Sequence, residues 1–231
     1  MQIFAGLGNP GKQYANNRHN IGFMALDAIA DAHGFGPWKS KFQGLISEGR
    51  LGGDRVLLLK PETFMNRSGQ AVGEAMRFYK AEPQDLTVFH DELDLAPGKL
   101  KVKLAGGHAG HNGLRSIHGH IGEAYRRVRI GIGHPGRKEL VASYVLHDFA
   151  RSDHVWLDPL MHGLSDGAVS LAQGDPARFM NAVALRVAPP RSSGGQRQTK
   201  AGKPPANGQP DDEQKAPDRR TALQKLADRF R

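Results

Sequence analysis

Hydrophobic positions in the first 188 residues fall into short apolar runs and longer stretches with helical spacing. The short runs predict six strands, at residues 2–5, 45–51, 55–60, 86–90, 99–104 and 127–132. One amphipathic helix is predicted from apolar residues that recur every three or four positions: Ile21, Met24, Ala25, Ala28, Ile29 and Ala32. The same spacing predicts helices at 72–79, 157–171 and 176–185. Strands mixed with helices favour a single α/β domain built around one sheet.

The connection between the second and third predicted strands is short and rich in glycine. It reads Gly52-Gly53-Asp54, which is typical of a β-hairpin. A hairpin makes its two strands antiparallel, whereas helical connections favour parallel neighbours. We therefore predict a mixed β-sheet flanked by α-helices for residues 1–188.

The pattern changes at Pro189. Residues 189–217 are rich in Pro, Gly, Gln and charge and contain no large apolar side chain, which predicts a disordered linker. In residues 218–231, Asp218 can cap a helix whose apolar positions include Leu223 and Leu226, so a short basic amphipathic helix is expected. Residues 189–231 hold ten Lys and Arg against five Asp and Glu, so the predicted extension is basic.

Composition narrows the range of partners and chemistries. The 231-residue chain has a formal net charge of +9 and a pI of about 9.9, which favours a polyanionic partner, with nucleic acid first. It contains no cysteine, so disulfides, thiolate metal ligands and a cysteine nucleophile are excluded. No apolar stretch approaches the roughly 20 residues of a membrane span, and no signal peptide is visible. A soluble, cytoplasmic protein is expected.

The opening stretch GLGNPG has the glycine spacing of a dinucleotide-binding turn. That site requires a helix opened by the third glycine and an acidic residue at a strand end about 20 residues later. Here Pro10 lies inside the loop, the next residues are polar, and Asp27 and Asp31 fall within the predicted helix. The context therefore argues against a dinucleotide. Asn9, at the end of a predicted strand, remains a candidate ligand-binding residue.

A histidine and a carboxylate are candidates for acid–base chemistry. His19 precedes the first predicted helix, whose positive end disfavours a charged imidazole, and a neutral imidazole can act as a general base on water. Asp91 follows a predicted strand and could fix the tautomer of a histidine and stabilise its cation. The ordinary structural alternatives are a helix cap for His19 and a solvated acidic turn for Asp91.

Other polar residues suggest substrate contacts. The amides of Asn9, Asn66 and Asn112 could bind a carbonyl or an oxyanion, although each also suits a turn or a helix cap. Basic residues alternate along two predicted strands, at Lys99, Lys101 and Lys103 and at Arg127 and Arg129. Alternate residues share a face of a strand, so these could bind phosphates or form a solvated surface.

A metal site is a weaker interpretation of the acidic and histidine residues. The candidate ligands are His90, Asp91, Glu92, Asp94, His108, His111, His118 and His120. No H-E-x-x-H or comparable spacing is present, and His118 and His120 lie two apart on an expected helix, where they point away from each other. We therefore expect no metal.

Seven ordered motifs resemble those of the bacterial peptidyl-tRNA hydrolase family: GLGNPG, NNRHNIGF, KPETFMNRSG, HDELDLAPG, GGHAGHNGL, RIGIGHPG and VASYVLHDF. The resemblance covers roughly residues 1–188. It implies a single α/β domain that hydrolyses the ester between a peptide and the 3′ ribose of tRNA, without metal or cofactor. The substrate would come from ribosomal drop-off or a stalled large ribosomal subunit. The resemblance also implies a monomer with no membrane partner.

The resemblance assigns roles to individual residues. His19 corresponds to the catalytic base, Asp91 to its carboxylate partner, and Asn9 to the amide that distinguishes blocked from unblocked aminoacyl ends. The residues implied in substrate binding are Tyr14, Phe64, Met65, Asn66, His111 and Asn112. Lys103 and Arg129 correspond to a clamp for the 5′ phosphate of tRNA.

Two questions stay open at this level. The alternative function is a non-catalytic RNA-binding protein on the same scaffold, although the presence of His19, Asp91 and the three asparagines favours the enzyme. The resemblance does not extend to the basic extension. Our hypothesis is that residues 189–231 add electrostatic affinity for tRNA or ribosomal RNA.

Overall fold

The computed structural model describes residues 1–188, so the predicted linker 189–217 and helix 218–231 lie outside the described residues. The strands are β1 Gln2–Gly6, β2 Lys39–Lys41, β3 Gly44–Leu51, β4 Asp54–Pro61, β5 Leu86–Glu92, β6 Leu100–Leu104 and β7 Arg126–Gly131. The α-helices are α1 Ile21–Ala32, α2 Ser68–Tyr79, α3 Asn112–Ile121, α4 Val141–Val145, α5 His154–Ala172 and α6 Pro176–Val187.

All seven strands form one mixed sheet, in the order β2-β3-β4-β1-β5-β7-β6. The four central strands β4, β1, β5 and β7 are parallel, while β2, β3 and β6 pair antiparallel with their neighbours. The predicted hairpin is present, because Leu51 of β3 pairs with Asp54 of β4 across Gly52-Gly53. The expected α/β fold with a mixed sheet is therefore confirmed.

Apolar side chains cover both faces of the central strands. Phe4 of β1 packs into one cluster with α1, α5 and α6, whereas its neighbours Ile3 and Ala5 pack into a second cluster with α2 and α3. This alternation follows from the two-residue period of a strand. Each fully buried large apolar side chain contributes about 1.5–3 kcal/mol, so the centre of the sheet is the main source of stability.

Helix α1 begins in close contact with the ends of β1 and β5. A Cβ atom on Gly22 would lie 2.4 Å from both the Leu7 nitrogen and the Phe89 carbonyl oxygen, and one on Gly6 would lie 2.3 Å from the Gly22 carbonyl oxygen. Only glycine permits this approach at both positions. The 3-10 turn Arg18–Asn20, which leads directly into α1, is thereby held beside the end of β5.

Two of the three glycines of GLGNPG are required for close packing, and one is required for a backbone turn. Of the three glycines of GLGNPG, only Gly11 has a positive φ, of 107°. Gly6 is needed for the approach of α1, and a Cβ on Gly8 would lie 2.8 Å from the Phe23 ring. Fourteen residues, 7–20, separate β1 from α1. A dinucleotide turn, in which the third glycine opens the helix, is therefore not formed.

Among the helices of residues 1–188, none combines the length and the apolar character that crossing a bilayer requires.

Candidate active site

The candidate residues gather at the carboxyl ends of the parallel strands. Asn9 follows β1, Met65 follows β4, and Asp91 lies near the end of β5. From β1, the chain first builds the strands on one side of the sheet, through β4, and then crosses to β5 on the other side. In open α/β sheets, such a switch in direction creates a crevice at the strand ends, where ligands bind.

His19 and Asp91 form a buried hydrogen-bonded pair. The imidazole Nδ1 lies 2.8 Å from the Asp91 Oδ1 atom, and the two side chains are only 10% and 3% exposed. Because a carboxylate only accepts, His19 Nδ1 carries the proton and donates it. Among residues 1–188, Nε2 has no hydrogen-bond partner and remains available to water. This is the tautomer that a general base requires.

His111 donates to the same carboxylate oxygen. Its Nδ1 accepts from the backbone nitrogens of Gly113 and Leu114 and so caps α3. That acceptor role places the proton on Nε2, which lies 3.0 Å from Asp91 Oδ1. The rings of His19 and His111 are 4.9 Å apart at their centroids. Two histidines therefore converge on one oxygen atom of Asp91.

Asp91 determines how His19 titrates. Burial is the largest single effect and lowers the pKa of His19, but the charge of Asp91 and its hydrogen bond together raise this pKa above its ordinary value. For Asp91, burial raises the pKa, and the opposing contributions of His19 and His111 bring it well below its usual range. Asp91 therefore favours the charged imidazole, an effect opposite in sign to the one expected from the helix end.

His90 is neutral throughout the physiological range. Burial is the main cause that lowers its pKa to about 3. Its Nδ1 lies 2.7 Å from the Asp91 carbonyl oxygen and donates to it, so the ring sits beside the His111 ring without a charge of its own. His90 therefore contributes packing beneath the histidine pair rather than acid–base chemistry.

Asn9 is held from two directions. Its Oδ1 accepts from the Met65 backbone nitrogen at 2.9 Å, which leaves the Nδ2 group as its remaining donor. The Asn20 side chain accepts from the Asn9 nitrogen and donates to the Asn9 carbonyl oxygen, both at 2.9 Å. Asn20 was not among the predicted site residues. Its position next to His19 in NRHN was the available signal, but its bonds to Asn9 span 11 residues and become visible only in the fold.

A cavity of about 670 Å³ opens beside the histidine pair. Six of the predicted site residues line it: His19, Asp91, Lys103, His111, Asn112 and Arg129. The other five predicted residues lie around the loops after β1 and β4 and do not line this cavity: Asn9, Tyr14, Phe64, Met65 and Asn66. Phe64 is 60% exposed, and Asn66 is exposed beside it.

Part of the cavity wall is basic, since it includes Lys103, Arg127 and Arg129. Lys101 and Lys103 of β6 lie directly opposite Arg129 and Arg127 of β7, so four basic residues share one face, as the alternation predicts. Arg129 Nε lies 2.7 Å from Glu92 Oε2. Among the hydrogen bonds of residues 1–188, this is the one that Arg129 donates from its side chain, so its terminal nitrogens are available there to an anion.

Three donor atoms of His19, Asp91 and His111 are close enough together to hold a cation. Asp91 and His111 were among the candidate ligands named from the sequence, whereas His19 was not. The geometry is also that of a proton-bearing triad, because both histidine nitrogens donate to Asp91 Oδ1. A metal ion would have to replace both protons.

Comparison with known proteins identifies the family. A family model described as peptidyl-tRNA hydrolase matches residues 3–191. The chain is 67% identical to the peptidyl-tRNA hydrolase of Ruegeria pomeroyi and 67% identical to that of Cereibacter sphaeroides, with 100% of both chains covered in each comparison. These two relatives therefore also align with the basic extension.

A solved structure agrees with the fold. The crystal structure of peptidyl-tRNA hydrolase from Acinetobacter baumannii is 42% identical, with a TM-score of 0.74, and the match covers 79% of this chain and 94% of that one. With the matched family model and two relatives aligned from end to end, the chain belongs to the peptidyl-tRNA hydrolase family of ester-hydrolysing enzymes.

Proposed function

We propose that this protein hydrolyses the ester bond between a peptide and the 3′ ribose of tRNA, using water activated by His19. The observation that carries the proposal is the buried hydrogen bond of 2.8 Å between His19 and Asp91 at the wall of the cavity. The names of the relatives supply the substrate, peptidyl-tRNA. Its origin in ribosomal drop-off or a stalled large ribosomal subunit is part of the proposal. Cytoplasmic, monomeric action is part of the same proposal.

The reaction begins with proton transfer to His19. The Nε2 atom takes a proton from water as the water oxygen attacks the ester carbonyl carbon, and a tetrahedral intermediate forms. Asp91 stabilises the resulting imidazolium, which is consistent with the raised pKa of His19. The bond to the ribose oxygen then breaks, and the imidazolium returns its proton to that oxygen. Neither a metal nor a cofactor takes part.

Asparagine side chains provide the contacts to the acyl group. Because Asn9 Oδ1 is occupied by the Met65 nitrogen, the Asn9 Nδ2 group donates to the peptide carbonyl next to the ester. An unblocked aminoacyl end has an ammonium group and lacks that carbonyl, so it cannot accept this bond. Asn112, at the start of α3 and on the cavity wall, donates to the carbonyl that is attacked.

The basic wall binds the nucleic acid. Lys103 and the free edge of the Arg129 guanidinium contact the 5′ phosphate of tRNA, while Glu92 fixes the orientation of Arg129. On the other side, Tyr14, exposed Phe64, Met65 and Asn66 contact the peptide and the 3′ end. His111 positions Asp91 and contacts the substrate.

The test compares two tRNAs that differ only at the amine. N-acetyl-aminoacyl-tRNA and the unblocked aminoacyl-tRNA are mixed with the wild-type protein and with His19→Ala, and release of the acyl group is followed. We expect release from the blocked substrate only, reduced roughly 10²–10⁴-fold in the variant. Circular dichroism of His19→Ala controls for folding. A folded wild-type protein that binds tRNA but releases nothing would establish the alternative, a non-catalytic RNA-binding protein.

A further inference from the structure

The loop of residues 105–110, between β6 and α3, forms one wall of the cavity. Gly107 to Gly110 line it, and the loop runs directly into His111. Two of its residues with a Cβ atom have left-handed backbone, Ala105 with φ 58° and Ala109 with φ 45°. Such backbone is unfavourable for alanine and persists only where surrounding contacts enforce it.

Arg127 supplies such contacts to the first part of the loop. It is 4% exposed, and its guanidinium donates to the carbonyl oxygens of Ala105 and Gly107, the latter at 2.8 Å. Gly106 lies so close that a Cβ atom there would be 2.7 Å from Arg127 Nη2. Within residues 1–188, none of the hydrogen bonds of Arg127 goes to a carboxylate. The buried guanidinium of Arg127 therefore binds the backbone of loop 105–110.

The loop connects Arg127 to the histidine pair. Its start is bonded to the residue that precedes β7, through a hydrogen bond of 3.0 Å from the Ala105 nitrogen to the Tyr125 carbonyl oxygen. Its end is closed by a turn, in which the His111 nitrogen donates to the His108 carbonyl oxygen at 2.8 Å. The direction in which His111 leaves the loop sets whether its Nε2 atom reaches Asp91.

We propose that Arg127 is a positioning residue for hydrolysis, which holds loop 105–110 so that His111 donates to Asp91. This inference rests on the proposed function of His19. When His111 donates, the charge of Asp91 Oδ1 is shared between two N–H groups, one from His19 and one from His111. When the loop is released, Asp91 interacts with His19 alone and holds its proton more tightly, so less neutral base is present at a given pH.

The experiment measures the pH dependence of kcat on N-acetyl-aminoacyl-tRNA for Arg127→Met, Arg127→Lys and the control Arg126→Met. Arg126 is adjacent on β7, is half-buried and faces the other side of the sheet. We expect Arg127→Met to lose about 10- to 100-fold in kcat at pH 7. The fall of kcat at low pH, called the acid limb of the pH profile, should move to higher pH. Arg127→Lys keeps the charge but lacks the planar guanidinium that donates to two carbonyl oxygens at once. It should therefore not return the acid limb to its wild-type pH. The control Arg126→Met should keep the acid limb of kcat at its wild-type pH.

Two further measurements distinguish a positioning role of Arg127 from an effect of its charge and from a general loss of folding. The first is a double-mutant cycle that combines Arg127→Met with His111→Ala. The double variant should be no slower than the slower single variant, because both substitutions remove the hydrogen bond from His111 to Asp91. Hydrogen exchange of the amides of residues 105–110 should be faster in Arg127→Met, a readout that needs no hydrolysis. Additive losses, restoration of the limb by Arg127→Lys, or unchanged exchange would each overturn the proposal. Faster exchange together with an inactive wild type would contradict the proposed function alone.

Discussion

Strands β4 and β7 occupy matching places in the sheet, each one strand away from the β1–β5 pair on opposite sides, yet their side chains differ in kind. On β4, Val56 and Leu58 pack on one face and Leu57 and Leu59 on the other, all at most 1% exposed. On β7, Val128 and Ile130 pack on one face in the same way, but the opposite face carries Arg127 and Arg129. The buried residues of β4 pack against helices on both faces, whereas a cavity lies beside the arginine face of β7.

The difference shows how one sheet divides stability from chemistry. The β4 half buries apolar side chains on both faces of β4, and this burial stabilises the fold. The β7 half gives up one apolar face to hold charged and titrating groups beside the ends of β5. Substitutions in the two halves should therefore have opposite consequences. Those in the β4 half should reduce stability and leave the hydrolytic rate unchanged, whereas those in the β7 half should reduce the rate and leave stability unchanged.

The largest expected effect is on the chemical side. Asp91→Asn removes the charge that raises the pKa of His19, so burial alone remains and this pKa should fall below its ordinary 6.5. The rate should drop by roughly 10³–10⁴, because the amide neither stabilises the imidazolium nor fixes the tautomer. Single-turnover hydrolysis measured across pH should show both the loss and an acid limb displaced to lower pH. A limb that stays in place would show that Asp91 does not control His19.

The converse substitution is Leu58→Ala in β4. Leu58 is fully buried, and its truncation should cost about 2–5 kcal/mol of unfolding free energy while the residual folded protein keeps its kcat within about twofold. Urea unfolding and assays well below the midpoint measure the two quantities. Leu104→Ala is the matched control, since Leu104 is 63% exposed on β6 and should change stability by less than about 0.5 kcal/mol. A large loss of kcat in folded Leu58→Ala would remove the division between the halves.

A smaller effect is expected at the phosphate contact. Arg129→Gln should weaken binding of the substrate roughly tenfold and reduce the slope of log affinity against log salt by about one. The effect should disappear on a tRNA from which the 5′ phosphate has been removed. Equal losses with and without that phosphate would place the Arg129 contact elsewhere on the nucleic acid. Arg126→Gln, on the opposite face of β7, serves as the control.

The smallest effect should come from the basic extension. Truncation after Ala188 removes a segment with ten basic and five acidic residues, so binding of tRNA should weaken a few-fold at low salt and little at physiological salt. Fluorescence anisotropy with labelled tRNA at two salt concentrations measures this difference. Unchanged binding at low salt would confine the nucleic-acid surface to the domain of residues 1–188.

The sequence was most informative where a pattern repeats. The helical spacing from Ile21 to Ala32 and the glycine hairpin before β4 predicted elements that the structure contains. It was least informative for β2 and α4. The three residues of β2, Lys39–Lys41, are all exposed and have no apolar alternation, because pairing with β3 alone makes them a strand. Helix α4 spans five residues, too few for a period to show.

For the site, the sequence indicated residue types but not their connections. The pairing of His19 with Asp91 came from the family resemblance, and the structure brings the two within hydrogen-bond distance. The sequence grouped Arg127 with Arg129 on one face, which is correct, but did not distinguish a buried guanidinium bound to loop carbonyls from one beside Glu92. That difference depends on the path of loop 105–110, which depends on backbone geometry and not on periodicity.

The most direct test of the central claim is to follow the titration of His19 itself. In protein labelled with ¹⁵N-histidine, the His19 ring signals, assigned by their loss in His19→Ala, are recorded against pH beside the rate of hydrolysis of N-acetyl-aminoacyl-tRNA. We predict one shared midpoint, above the ordinary histidine pKa of 6.5 because Asp91 raises it. A His19 midpoint below 6.5, or a rate that does not follow the His19 titration, would contradict the account that His19, held by Asp91, is the base.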